Sequence, residues 1–289
     1  MKTMKELMIL FPGSYFNYHH VDEDMQGEYQ AVLNSGLFQT VLFNYDEWLG
    51  GDCLRLTEHN EAECRAVYRG WMLKPEEYSK LYIELHSHNI ELITNPDEYE
   101  NMHLFPNVYP HIKDDTAGMI FFEDGKVDVE AVKKHFARFM VKDAVKSVKG
   151  TEFPAFFDST VTQDAFDDWM QVFYKYRGSL LTGGICIKEY LDLKRYDGKT
   201  NEYRVFYAGH QILSVSRNSN QPAFTPEPPR GLITKYCFLD SPYYTIDYAE
   251  LEDGSWKIIE AGDGGVSGLS PGQDAEAYYR ALYQEWRMN

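Results

Sequence analysis

A chain of 289 residues, 44% hydrophobic and 15% aromatic, is long enough for two or three small domains and apolar enough to bury a core. Its 28 basic and 45 acidic residues leave a formal charge of -17, which argues against nucleic acid and anionic lipid as partners of the general surface. Cys53, Cys64, Cys186 and Cys237 lack metal-ligand spacing and read as reduced thiols, and the apolar run at residues 7–11 is too short for a membrane span or a secretory core, so a cytoplasmic protein is expected.

In chain order, "ELMILFPGS" predicts a buried strand, "DEDMQGEYQAVLNSG" an amphipathic helix closed by Gly36, and "QTVLFNY" a second strand. "CRAVYRGWML" predicts another strand, "KPEEYSKLYIELHSHN" a helix with proline near its start, and "IELIT" a strand. This alternation implies βαβ units and a small parallel sheet. The proline-dotted "NPDEYENMHLFPNVYPHIKDDT" reads as a connecting loop with one short helix. Beyond it come "AGMIFFED", helix "VDVEAVKKHFA", strand "RFMVKDAVK", helix "TQDAFDDWMQVFYKYRG" and strand "ICIKEYLDL". The strands "EYRVFYAG", "QILSVSR", "YYTIDYAEL" and "WKIIEAG" then follow in succession, which implies an antiparallel sheet, and "DAEAYYRALYQEWR" is an amphipathic helix. The expected division is an α/β domain at 1–115 and two α+β lobes at 116–182 and 183–289.

Several chemical devices are missing from the sequence, among them the phosphate loop, H-E-x-x-H, C-x-x-C and G-x-S-x-G. Three acids stand out instead. With Asp253 and Gly254 as a turn centre, Asp247 and Glu260 each lie about six residues away and face one another on adjacent strands. Facing carboxylates repel unless a cation lies between them, and Mg²⁺ takes one or two carboxylates plus substrate phosphates. Asp263 follows in a glycine-rich run, "AGDGGVSGLSPG", which permits close approach of a ligand. Solvated strand-end acids are the alternative reading.

The run "FMVKDAVKSVKG" sets Lys142, Lys146 and Lys149 in an otherwise acidic chain, where they would serve as point charges for phosphate or as an exposed charged segment. Lys188 and Glu189 interrupt an apolar strand, and Glu202 and Arg204 share one strand face.

The order of these pieces resembles the ATP-grasp fold. "YRGWML", "FMVKDAVKS", "ICIKEYLDL", "EYRVFYAG" and "YYTIDYAELEDGSWKIIEAGDGGVSGL" are similar to its clade named for one arginine and two lysines, which is related to the eukaryotic cell-division-cycle chaperone that assembles a translation initiation factor. The resemblance implies ATP and Mg²⁺ as cofactors. It assigns Lys142 and Lys146 to phosphates, Glu189, Tyr190 and Leu191 to the adenine and ribose edge, and Arg204 to the phosphate end, with Lys188 and Glu202 in the same nucleotide site. Asp247, Glu260 and Asp263 become metal ligands, although Gly262 stands where most ATP-grasp ligases carry asparagine. The implied chemistry is a ligase that activates a carboxylate as an acyl phosphate for attack by an amine or similar nucleophile. An ATP-binding assembly chaperone and a phosphotransferase are the rivals.

Arg69 at a strand end is either the anchor of a carboxylate substrate or a surface arginine beside Trp71. His19, His20 and Asp22, together with the aromatic stretches "SYFNYHH" and "YENMHLFPNVYPH", are candidates to line the same cleft. A small-molecule, peptide or protein carboxylate is the expected substrate, with no nucleic acid and no membrane partner.

Overall fold

The computed structural model describes residues 7–59 and 61–288; the first residue of the predicted strand "ELMILFPGS", Glu6, lies outside them. Strand β1 (Leu7–Ser14) is apolar on both faces, as a strand covered from two sides must be, and it forms the centre of a parallel sheet. Its partners are β3 (Gln39–Phe43) on one edge and β4 (Cys64–Tyr68) on the other, followed by β5 (Ile90–Leu92), while β2 (Asn17–Val21) folds back antiparallel on the end of β1. One face is covered by α3 (Pro75–His86) through Tyr78, Leu81 and Leu85, with Trp48 of α2 (Tyr45–Leu49). The other is covered by α1 (Gln26–Ser35), which Gly36 closes in the left-handed conformation at φ 62°, and by α9 (Ala275–Met288) from the far end of the sequence. Tyr278, Tyr279 and Leu282 of α9 pack on Ile9, Phe11 and Val67, so the C-terminal helix completes the N-terminal core.

The stretch expected to be a connecting loop with one short helix is two helices, α4 (Pro96–His103) and α5 (Phe105–Ile112). Asn95 accepts from the Glu98 amide at 3.0 Å and donates its own amide to the Glu98 carboxylate at 2.7 Å, with Pro96 pre-set for the first turn.

A second, antiparallel sheet runs in the order β6 (Met119–Phe122), β9 (Ile185–Glu189), β7 (Arg138–Asp143), β8 (Phe157–Asp158), backed by α6 (Val129–Lys133) and α7 (Gln163–Arg177). Because β9 hydrogen-bonds between β6 and β7, the chain leaves this sheet after Glu189 and not at the expected residue 182. After the small hairpin β10 (Arg195–Tyr196) and β11 (Lys199–Thr200) comes a third sheet, in the order β13 (Gln211–Arg217), β12 (Glu202–Ala208), β14 (Tyr243–Glu250), β15 (Trp256–Asp263). It is antiparallel, as the strand succession implied, with α8 (Arg230–Lys235) inserted between β13 and β14. Helices α4 and α5 pack on this sheet through Met102, Phe105, Val108 and Ile112. No described helix is long and apolar enough to cross a membrane.

Candidate functional site

A cleft of about 970 Å³ lies between the second and third sheets. On one wall, strand pairing places Lys142 beside Cys186 and Lys188 beside Met140, so both lysines rise from the same face. Both are almost fully buried, at 2% and 4% exposure, and their ammonium groups lie 4.6 and 3.9 Å from the ring centre of Phe105 on α5. Each reaches across to β15: Lys142 Nζ donates to Glu260 Oε1 at 2.6 Å, and Lys188 Nζ donates to the Ile259 carbonyl at 2.9 Å. Burial, reinforced by the neighbouring Lys142 charge, pulls the Lys188 ammonium down to about 7.

On the facing wall, Arg204, Asp247 and Glu260 stand side by side on β12, β14 and β15, in direct register. The Arg204 guanidinium grips both Asp247 oxygens at 2.8 and 2.7 Å and donates to the Gly268 carbonyl at 2.8 Å. Burial pushes the Asp247 carboxyl up despite this fork. Burial pushes Glu260 up as well, but Lys142, Lys188 and Lys149 together hold it below the usual carboxylate range.

Glu189 ends β9, Tyr190 and Leu191 follow it as the strap from the second sheet to the third, and all three line the same cleft. The strap is pinned by Glu189 N to Gly118 O at 2.8 Å and Tyr190 N to Arg138 O at 3.0 Å, with the Tyr190 ring 4.6 Å from Phe156. Lys146 and Glu202 also line it. Burial lowers the Lys146 pKa, with Arg177, Arg204 and Lys142 adding to the effect and Glu260 opposing it.

Two expected site residues are elsewhere. Arg69 is neither a surface arginine nor open to a substrate. It is 3% exposed, holds both Glu28 oxygens at 2.7 and 2.6 Å, and donates to the Ser267 carbonyl at 2.8 Å and to the Gly264 carbonyl. Burial alone would lower its pKa, yet Glu28 holds it well above the ordinary value. Its observed work is to fasten the glycine run to α1. Asp263 does not join Asp247 and Glu260, because its carboxyl is buried away from the cleft. Oδ1 accepts from the Gly265 amide at 2.7 Å, Oδ2 has no hydrogen-bond partner, and burial pushes the group up to about 7. Among the described residues no set of three or more His, Cys, Asp or Glu side chains is placed to hold a metal, so the three-acid ligand set is not assembled.

The glycines also divide. A Cβ on Gly264 would come 2.7 Å from the Tyr243 ring, and one on Gly265 would come 2.7 Å from the Tyr68 carbonyl, so packing requires them. Gly262 and Gly268 do border the cleft, with no such crowding. His19, His20 and Asp22 lie outside the cleft lining, and Tyr15 and Phe16 project from the β1–β2 turn at 72% and 94% exposure. His103, from the stretch "YENMHLFPNVYPH", does border the cleft, and Thr245, which was not anticipated, borders it together with Ser267 of the glycine-rich run. His103 stacks on Tyr99 at 4.7 Å, and burial together with Lys146 and Lys142 lowers it to about 4.

Residues 131–282, more than half of the chain, match the ATP-grasp domain, R2K clade family 3. The chain belongs to this family. As an ATP-grasp domain it is set against ATP and Mg²⁺ as cofactors, and the residues present fit both. Two facing carboxylates are the kind of oxygen donors a hard cation takes alongside phosphate, and four lysines, Lys142, Lys146, Lys149 and Lys188, line the cleft with the positive charge that phosphates would need. The fold is also that of the D-alanine-D-alanine ligase from Coxiella burnetii, with a TM-score of 0.64 at 9% identity over 99% of this chain and 95% of that one. The D-alanyl-alanine synthetase A of Vibrio cholerae O1 biovar eltor gives 0.60 at 10% identity over 99% and 100%. The ATP-grasp ligase PsnB, in complex with a phosphomimetic variant of its minimal precursor, Mg and ADP, gives 0.57 at 11% over 98% and 99%. Such identities establish the fold and not the substrate. Among curated proteins none matches the sequence.

Proposed function

We propose that the cleft binds ATP with Mg²⁺ and activates a carboxylate as an acyl phosphate, which an amine or similar nucleophile then attacks. The observation that carries this reading is the placement of Lys142 and Lys188 directly opposite the Asp247–Glu260 pair, across a cleft large enough for a nucleotide and a small partner. Lys142, Lys146 and Lys188 would hold phosphate oxygens. Glu189 and Tyr190, pinned by their backbone bonds, and Leu191 beside them would flank the adenine and ribose, with Glu202 and Arg204 bordering the phosphate end. Asp247 and Glu260 would hold Mg²⁺, which when bound supplies neutralisation of the phosphate charge. Arg204, held in place by Asp247 and the Gly268 carbonyl, presents a fixed positive edge toward the reacting carboxylate. We further propose lobes at 1–115, 116–189 and 190–289, since β9 pairs within the second sheet.

The ligase relatives by fold named above support the reaction class. The acceptor is proposed as a small-molecule, peptide or protein carboxylate without Arg69 as its anchor. In the first step a carboxylate oxygen attacks the γ-phosphorus and ADP leaves. In the second, the nucleophile displaces phosphate and gives up a proton. Incubation of the protein with MgATP and pooled amino acids and peptides tests this: acceptor-dependent ADP and phosphate are expected. AMP and pyrophosphate would overturn the acyl phosphate, and absence of turnover with every acceptor would favour an ATP-binding chaperone.

A further inference from the structure

The lysine and the acid best placed for ATP and Mg²⁺ are bonded to each other. Lys142 and Glu260 are 118 positions apart, on β7 of the second sheet and β15 of the third, and their contact of 2.6 Å spans the cleft. We propose that this pair is a latch in which each group masks the other, so that nucleotide phosphate and divalent cation must arrive together to open it. The inference rests on the nucleotide reading given above.

The physical argument concerns what each ligand alone would leave behind. A phosphate arriving alone must draw Lys142 away from Glu260, placing a polyanion beside a carboxylate that has lost its nearest cation. A divalent cation arriving alone must draw Glu260 away, leaving the Lys142 ammonium buried against Phe105. The Lys142 side of the pair is 3% exposed and the Glu260 side 44%, so the larger cost falls where the buried lysine is left uncompensated, and repulsion of phosphate by Glu260 adds to it. When both ligands come together, lysine passes to phosphate and glutamate to the cation, and no charge is stranded. Lys188 cannot take over as the partner without leaving the Ile259 carbonyl, which it holds at 2.9 Å. The two ligands are therefore coupled through the protein's own residues, and linkage makes that coupling reciprocal.

The test is a double-mutant cycle read by calorimetric titration of ATP in EDTA, on wild type, Lys142→Met, Glu260→Gln and the double variant. Simple repulsion by Glu260 makes the two changes independent, whereas a latch makes them interact. In the latched wild type Lys142 is already engaged, so Lys142→Met costs metal-free ATP less there than in the Glu260→Gln background, where the same change costs about tenfold or more. Glu260→Gln alone binds metal-free ATP more tightly than wild type. Equal costs of Lys142→Met in the two backgrounds, or no gain from Glu260→Gln, would overturn the latch while leaving the nucleotide site intact. Failure of wild type to bind ATP even with Mg²⁺ would instead overturn the nucleotide reading and the latch with it. If Lys142→Met does not fold, hydrogen exchange of wild type decides: ATP in EDTA leaves residues 139–143 and 257–261 unchanged, and ATP with Mg²⁺ alters both. A change with ATP alone would overturn the latch.

Discussion

Asp247 and Glu260 face one another across β14 and β15, and each is neutralised by a different cation of the protein, Arg204 for Asp247 and Lys142 for Glu260. Facing carboxylates do need positive charge, but the fold supplies it before any metal does. Arg204→Ala would leave Asp247, itself 6% exposed, without its fork. The expected loss is about 3–5 kcal/mol in chemical denaturation, with part of it recovered by adding Asp247→Asn. No recovery in the double variant would show that the fork is not what stabilises this wall.

Arg69 is expected to behave as a structural residue. Arg69→Ala removes bonds to Glu28 and to the Gly264 and Ser267 carbonyls, so unfolding should become easier by several kcal/mol, on the order of a broken buried ion pair. Variant that folds when cold should keep ATP affinity near that of wild type. A normal melting temperature combined with lost acceptor turnover would return Arg69 to the substrate site.

Lys188 gives the cleft a pH dependence of its own. Its pKa in the folded protein is about 7, below the unfolded lysine value, so the folded protein binds fewer protons between those two values and this residue's contribution to stability rises with pH across that window. Loss of its charge weakens phosphate binding in the same direction of pH. MgATP affinity is expected to fall from pH 7 to pH 9, where the phosphates are already ionised, and Lys188→Arg should remove that slope. A slope that persists in Lys188→Arg would assign the titration to another group.

Much of this arrangement is legible in the sequence because it is local. The "EDGS" turn, with Gly254 at φ 83°, makes β14 and β15 neighbours, so counting brings Asp247 and Glu260 near one another; the turn itself sets Glu250 opposite Trp256 and Tyr248 opposite Ile258, and a bulge between Asp247 and Tyr248 then places Asp247 opposite Glu260. Arg204 shares a face with Glu202 by alternation alone. What could not be read is which distant element covers a given side chain. Arg69 looked cleft-facing until α1 brought Glu28 and the glycine run brought two carbonyls to it. Strand β9 read correctly as a strand, but its pairing with β6 and β7 is set by tertiary packing, so the sheet it joins could not be read from the sequence. Helices α4 and α5 carried a capping signal at Asn95, yet Pro106 and Pro110 made the stretch read as a loop with one short helix, and the packing of Phe105 against Lys142 and Lys188 could not be read from it.

Asp263 is a cost that the fold carries near neutral pH. Its folded pKa of about 7 lies above the unfolded value, so the folded protein binds more protons between the two and stability from this residue falls as pH rises toward 7. Asp263→Asn is expected to improve stability relative to wild type more at pH 8 than at pH 4, measured by urea denaturation. An equal effect at both values would mean that the buried carboxyl does not change ionisation there.

The central claim, that this cleft is a MgATP site, is tested most directly by melting wild type, Lys188→Met and Lys142→Ala with and without saturating MgATP. A ligand bound only by the folded state at a hundredfold excess over Kd adds about 2.7 kcal/mol, so wild type should melt higher with MgATP and the two lysine variants should show little or no shift. A folded wild type whose melting temperature does not move with MgATP, or lysine variants that shift as much as wild type, would contradict it.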